Sequence, residues 1–472
     1  MKRITIDPVT RIEGHAKITI HLDDAGEVAS TQFHVTQVRG FEKFVEGRPF
    51  YEMPGITARI CGICPISHLM ASAKACDAIM AVRIPPTAAL LRELIHCGQF
   101  VQSHALSFFH LSAPDLLLGM DFDPAKRNVL GLALKHPELA RAGIELRRFG
   151  QRIIEAVAGE RVHPSGVVPG GIAQPLDPEI RDEILMGLAP ARETARKTLL
   201  LFKDTLNGFV DEVAHFGSLD TMYAGLVDAA GGLQLYDGAI RFRASDGAIV
   251  ETVPAERYAS FIGEAAVRDS FLKAPYFKPR GYPDGIYRVG PLARLNVADR
   301  CGTPAADAEL AEFRQRFGRV VASAFHYHYA RLIEVVYALE RIRVLLETPG
   351  VLDTHVRAKA AVNALEGIGV AEAPRGVLIH HYKVDEQGAM KWANLIIATG
   401  HNNLAINRSI EQASKRYIHG DKLEEGMLNR VSAVVRAYDP CLSCSTHAGG
   451  LAPLRVELVD AAGRLLDELA TQ

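Results

Sequence analysis

The sequence predicts an α+β fold that is mostly helical: a compact helical core with small sheets at its periphery. Three observations carry this reading. The stretches 87–112, 138–158, 179–214 and 307–346 distribute apolar residues as buried or half-buried helices do. Shorter stretches alternate polar and apolar residues around turn signals, as strands do. Two Cys-x-x-Cys pairs, one near each end of the chain, point to a shared site that closes both ends onto one unit.

Taken in order, residues 16–38 read as a hairpin. Ile18, Ile20 and Leu22 alternate with polar residues, Asp23 to Gly26 supplies a turn, and Val28 resumes the strand. Residues 66–80 turn helical and small, and 87–112 continue with Leu90, Leu91, Leu94, Ile95, Phe100, Val101 and Leu106. The 307–346 stretch reads as the longest helix and therefore a central one. Between the helices, residues 233–290 read as a β-rich excursion, and 376–399 as a second hairpin turning at Asp385 to Gly388. No repeat or low-complexity tract interrupts the chain.

Composition narrows the function. Lys and Arg total 53 and Asp and Glu 55 in 472 residues, a formal net charge of −2, which offers no electrostatic hold on nucleic acid. No apolar run approaches the ~18–20 residues that span a bilayer, and the N-terminus has no signal-like segment. Seven cysteines in a chain of this length do not make a disulfide scaffold. No Gly-x-Gly-x-x-Gly opens a helix after a strand; the nearest, Gly367-Ile368-Gly369, lacks the third glycine, so the chain is not expected to bind NAD itself.

Cys61-Gly62-Ile63-Cys64 and Cys441-Leu442-Ser443-Cys444 hold four of the cysteines. Two-residue spacing lets both sulfurs of a pair reach one ion, and thiolates favour soft or borderline metals. Structural zinc, a catalytic transition metal and an iron–sulfur cluster all fit that donor set; the wide separation weakens zinc, whose pairs usually sit ~15–20 residues apart in a local knuckle. Cys76, Cys97 and Cys301 stand alone and read as small buried apolar residues. His326, His328, His380 and His381 read as packing or surface groups.

The flanks of the pairs decide among the occupants. Arg11-Ile12-Glu13-Gly14-His15, Arg59-Ile60-Cys61 through Cys64-Pro65-Ile66-Ser67-His68, Glu372-Ala373-Pro374-Arg375-Gly376, and Asp439-Pro440-Cys441 through Cys444-Ser445-Thr446-His447 occur in that order. Together they resemble the [NiFe] hydrogenase large subunit, over residues 3–447. The wording around Cys441 and in Leu378-Ile379-His380-His381-Tyr382 is most similar to the cytoplasmic, bidirectional, NAD-linked enzymes.

The resemblance implies a nickel–iron centre held by Cys61, Cys64, Cys441 and Cys444, with CO and cyanide on iron. Cys64 and Cys444 would bridge the metals, and Cys61 and Cys441 would be terminal on nickel. It implies that Glu13 takes up the proton from H2 cleavage and that Arg375 stands over the open face of the metals, held by Asp115 and Asp439. His68 would donate a hydrogen bond to the bridging sulfur. Glu42, in Arg39-Gly40-Phe41-Glu42, and His447 would ligate a separate magnesium ion.

It also implies two segments: a catalytic domain, 1–447, and an extension, 448–472, removed by a maturation endopeptidase at His447–Ala448. The extension alternates and turns at Gly463, so a small hairpin is expected. With four cysteines given to the metals, the remaining three cannot build a chain of clusters. Electrons would leave through a small subunit bearing iron–sulfur clusters, then a flavin (FMN) diaphorase module that reduces NAD(P), in the cytoplasm. A hydrogen sensor sharing this centre is the alternative; such relatives generally lack the extension. A metal-free relative in respiratory complex I is disfavoured because this chain keeps all four cysteines.

Overall fold

The computed structural model describes residues 2–267, 270–419, 423–446, 455–459 and 465–470. Its centre is a set of long helices: Pro86–Ala105 packs between Pro137–Ala158 and Tyr327–Glu347, and Pro178–Leu206 crosses both of the latter. Their facing sides carry Leu91, Leu94, Phe100, Leu146, Ile153, Leu199, Phe202, Ile333 and Leu339, all buried in one continuous apolar cluster.

Sheets lie around this core. Lys2–Ile6, Lys17–Leu22 and Val28–His34 form an antiparallel meander in which Ile18 opposes Phe33 and Ile20 opposes Thr31. The 233–290 region supplies Ala239–Arg243, Ile249–Val253, Ile262–Val267 and Ser270–Phe277, as its composition predicts. Gly376–Val384 pairs with Met390–Ile396 as predicted, and a third strand, Glu366–Ala373, joins them.

That third strand explains Gly367 and Gly369. It lies so close on the Pro65–Met80 helix that a Cβ at Gly367 would fall 2.1 Å from the Ala75 carbonyl oxygen and one at Gly369 would fall 1.9 Å from that of Ala71. The glycines therefore serve helix–strand contact.

The helical segmentation differs from the sequence reading in two places. The 307–346 stretch is two helices, Pro304–Phe317 and Tyr327–Glu347, because Gly318 ends the first at φ +94° and a short 3₁₀ turn, Ala324–His326, starts the second. The 179–214 stretch divides into Pro178–Leu206 and Val210–His215, and the former, at 29 residues, is the longest helix described. The 87–112 stretch is α-helical to Ala105 and then widens into π-helix over Leu106–Ser112 and Pro114–Leu118. Beyond the core, Arg455–Val459 and Leu465–Ala470 pair antiparallel, the hairpin expected of the extension; its Gly463 turn lies outside the described residues. Among the described residues, no helix is long and apolar enough to cross a membrane.

Candidate metal centre

Local chain geometry presents each cysteine. A short 3₁₀ turn, Ala58–Ile60, ends at Cys61 in extended backbone, and Cys64 caps the N-terminus of the Pro65–Met80 helix, with Pro65 in the first helical position. A helix N-terminus favours a thiolate. The loop between them is held by the Pro86–Ala105 helix: Gln99 and Gln102 both donate to the Ile63 carbonyl, at 2.9 and 2.8 Å. On the other side the Glu425–Tyr438 helix stops at Asp439, which takes a left-handed conformation (φ 54°, ψ 56°) and turns the chain into Cys441.

The four sulfurs converge. They lie within 4.8 Å of one another, and all four cysteines are buried. Cys61 Sγ is 3.3 Å from Cys441 Sγ, Cys64 Sγ is 3.6 Å from Cys444 Sγ and 4.0 Å from Cys441 Sγ, and the Cys441 and Cys444 sulfurs are 2.7 Å apart. Four thiolates each about 2.3 Å from one tetrahedral ion would sit about 3.8 Å apart, so the cluster has the size of a metal's donor shell. Its walls are apolar: Ile60, Ala71, Ala75, Ala373, Leu378, Leu395 and Ala398 belong to the same buried cluster. An all-sulfur donor set in an apolar pocket suits a soft or borderline transition metal and not magnesium or calcium. Donation from Cys441, then Cys444 and Cys61, holds the Cys64 thiol well below its ordinary range, whereas burial raises Cys441 and Cys444.

Arg375 reaches the sulfurs from one side. Its Nε donates to the Asp439 carbonyl at 2.5 Å, its Nη2 lies 3.0 Å from the Asp439 carboxylate, and its Nη1 donates to Ser103 Oγ at 3.4 Å. Burial opposes the charge, but Asp439 and then Cys441, Cys64 and Cys61 raise its pKa.

Asp115 does not join it. The Asp115 carboxylate binds Arg11 Nη2 at 2.5 Å and Arg436 Nε at 2.9 Å, and Ser103, on the last turn of the Pro86–Ala105 helix, takes the position expected of Asp115 beside Arg375. Asp115 lies beyond that helix, in the π-helical segment Pro114–Leu118, where Arg11 and Arg436 take its carboxylate. Ser103 carried no motif that could have singled it out.

Glu13 stands against the second pair. Residues Glu13 and Cys441 form a parallel bridge; the Glu13 carbonyl accepts from Leu442 N at 3.1 Å and its carboxylate from Ser443 N at 3.0 Å. Gly14 makes this approach possible. At φ +85°, a Cβ there would fall 2.8 Å from Leu442 Cβ and 3.0 Å from Ser443 N.

His68 lies on the first turn of the Cys64 helix, and its Nδ1 is 3.1 Å from His380 Nε2. His380 Nδ1 is in turn 2.6 Å from Tyr382 Oη, which donates to Ser72. His380, read from sequence as a packing or surface group, is thus joined to His68; only strand-to-helix packing brings the two together. Glu42 sits in the first turn of the short Phe41–Phe44 helix. His447 and the bond to Ala448 lie outside the described residues. Cys76, Cys97 and Cys301 are buried, as expected.

Residues 3–38 match the HoxL-like family model, and residues 39–127 and 245–447 match the nickel-dependent hydrogenase model. The chain belongs to the nickel-dependent hydrogenases. This hydrogenase large subunit is 44% identical over 415 residues to a vhu F420-non-reducing hydrogenase chain of Methanocaldococcus jannaschii, covering 88% of this chain and 99% of that one. It is 40% identical over 485 residues to the beta subunit of the NAD-reducing hydrogenase HoxS of Cupriavidus necator, covering 99% of each. Among solved structures, an NAD+-reducing [NiFe]-hydrogenase in the H2-reduced state superposes with a TM-score of 0.92 at 45% identity, over 95% of this chain and all of that chain. A Ni-Fe-Se hydrogenase from D. vulgaris Hildenborough superposes at 0.77 with 26% identity, over 94% of this chain. The hydrogenase large subunit is therefore a catalytic one, with a cysteine tetrad able to bind nickel and iron.

Proposed function

We propose that this protein splits H2 reversibly into two protons and two electrons, and that its electrons pass through an iron–sulfur small subunit, then a flavin diaphorase, to NAD(P). The observation that carries the first part is the convergence on four buried thiols of a fixed cation, Arg375, and a carboxylate, Glu13. The second part rests on the high superposition with the NAD+-reducing enzyme and the full-length match to the NAD-reducing beta subunit.

When bound, a nickel–iron centre carrying CO and cyanide would be held by Cys61, Cys64, Cys441 and Cys444 and would supply the chemistry that polarises H2 and takes up its electrons. The chain's own groups do the rest. Arg375, fixed by two contacts to Asp439, stabilises negative charge as the H–H bond polarises. Glu13, held at the turn between Cys441 and Cys444, takes up the departing proton. His68, whose Nε2 has no other partner among the described residues, is assigned to donate to the cysteine sulfur and so tune it. Glu42 and His447 are assigned to a magnesium ion, residues 448–472 to an extension removed on maturation, and the complex to the cytoplasm.

The test uses the co-purified complex. One nickel and one iron per large subunit, infrared bands of CO and cyanide, and H2-dependent reduction of NAD or NADP are expected; zinc alone, or electrons delivered to neither nucleotide, overturns the corresponding part. Glu13→Gln should keep the metals and bands while losing H2 oxidation.

A further inference from the structure

We infer that Asp115 is a positioning residue for Glu13: through Arg11 and Arg436 it fastens the two chain segments whose contact sets the Glu13 carboxylate between Cys441 and Cys444. The proposal rests on the reading of Glu13 as proton acceptor.

Asp115 is buried in the π-helical segment Pro114–Leu118. One oxygen binds Arg11 Nη2 at 2.5 Å and accepts from Asn429 Nδ2 at 3.1 Å; the other accepts from Arg436 Nε at 2.9 Å. Arg127 Nε lies 3.3 Å away but has a second partner in Glu425. Among the described residues, Asp115 is the carboxylate that pairs with both Arg11 and Arg436.

These two arginines flank the contact that matters. Arg11 stands two residues before Glu13, and Arg436 stands on the last turn before Asp439, Pro440 and Cys441. Arg436 also donates through Nη1 to the Thr10 carbonyl at 3.1 Å, so the C-terminal helix grips the N-terminal segment directly. Arg11 further donates to the Leu111 carbonyl at 2.8 Å.

The backbone at Arg11 shows why an anchor is needed. Its φ is 59°, a left-handed conformation that a non-glycine residue holds only when surrounding bonds over-determine it. Without Asp115, Arg11 keeps one carbonyl contact, and Arg436 keeps no ionic partner among the described residues. The segment then relaxes from the bend that delivers Glu13 to the Leu442 and Ser443 amides. The carboxylate that the sequence assigned to Arg375 thus governs the other arm of the site.

The experiment compares Asp115→Asn, Glu13→Gln and the double variant in the co-purified complex. The first readout is isotope exchange between D2 and water, which follows proton movement independently of electron transfer to NAD(P). Metal content and infrared bands confirm an assembled centre. Asp115→Asn is expected to slow exchange at least tenfold with metals retained, and the double variant to fall no further than Glu13→Gln alone, since two changes on one route do not multiply.

A second readout needs no turnover. Amide hydrogen exchange should rise in peptides covering Ile12–Gly14 and Leu442–Ser443 in Asp115→Asn, and not at Arg375. Arg11→Lys, which keeps the charge but not both contacts, should show the same pattern more weakly and serves if Asp115→Asn fails to assemble. Losses that multiply in the double variant, or unchanged protection of those peptides, overturn the proposal. Full exchange in Glu13→Gln would instead overturn the Glu13 reading on which it rests.

Discussion

Arg375 holds Asp439 twice, through the backbone carbonyl at 2.5 Å and through the side-chain carboxylate at 3.0 Å. The two contacts need a planar fork with separate donors, which guanidinium has and ammonium lacks. Arg375→Lys therefore keeps a charge near the sulfurs but frees its position. The rate of H2 oxidation is expected to fall roughly 10²–10³-fold, in the range seen when one preorganised donor is removed, with nickel content unchanged. Ser103→Ala removes only the 3.4 Å contact and should leave most of the rate. An Arg375→Lys enzyme at the parent rate would remove the arginine from the mechanism.

Gly14→Ala tests the close approach of the first motif to the second cysteine pair. Gly26 is the control. Both glycines have nearly the same positive φ, +85° and +83°, but nothing lies within 4 Å of a Cβ at Gly26. Backbone strain of about 1–3 kcal/mol is common to both substitutions. Only Gly14→Ala also drives a methyl into Leu442 and Ser443. Both variants should lose some thermal stability, and Gly14→Ala alone should incorporate less nickel. Equal nickel in the two would show that the approach is not what assembles the site.

The parts of the site that the sequence revealed are those where chemistry is packed into short motifs. Cys61 and Cys64, or Cys441 and Cys444, are brought together by two-residue spacing, and the pairing of the motifs followed from their donor chemistry. What escaped depends on helix phase and on packing between distant elements. Ser103, on the α-helix, reaches Arg375, whereas Asp115, in the π-helical segment beyond it, is taken by Arg11 and Arg436. His380 meets His68 because its strand pairs with the one that lies on the helix through Gly367 and Gly369, a contact no local pattern announces. In the fold, hairpins with clear turn residues were legible, whereas the break at Gly318 was not, since an isolated glycine in a helical pattern is often tolerated.

A buried ionic group backs the Arg375 loop. Arg294 binds Glu334 through Nε and Nη2 at 2.6 and 2.7 Å and Glu372 through Nη1 at 2.7 Å, with all three side chains wholly buried. The same guanidinium donates to the Ala373 and Pro374 carbonyls, at 3.0 and 2.9 Å, immediately before Arg375. Glu334 also pairs with His104 at 2.8 Å. Removing Glu334 leaves Arg294 with Glu372 alone and takes away two charge-assisted bonds to the guanidinium, each worth about 1.5–3 kcal/mol. Glu334→Ala should therefore lower Tm by several degrees and reduce yield of the assembled complex. A Tm within a degree of the parent would mean that water or repacking compensates the arginine.

Acid should destabilise this chain through its buried histidines. Burial holds His96 and His401 neutral, with pKa lowered to about 3, and His326 to about 4. In the unfolded chain each titrates near 6.5, so between about pH 4 and 6.5 the unfolded state binds protons that the native state refuses. Their contribution is fully present above about pH 6.5 and is lost as pH falls, at about 1.4 kcal/mol per pH unit for each histidine. Glu372, raised to about 7 by burial, acts in the opposite sense, because the native state takes up its proton first. Three histidines outweigh one glutamate, so Tm should fall steadily from pH 6.5 to 5. His326 isolates the effect: both ring nitrogens lack hydrogen-bond partners among the described residues, and its ring packs against Phe313 and Phe317. His326→Phe should keep that packing and flatten the Tm profile by one proton's worth of slope. An unchanged profile in the variant would show that His326 already carries its proton in the folded chain.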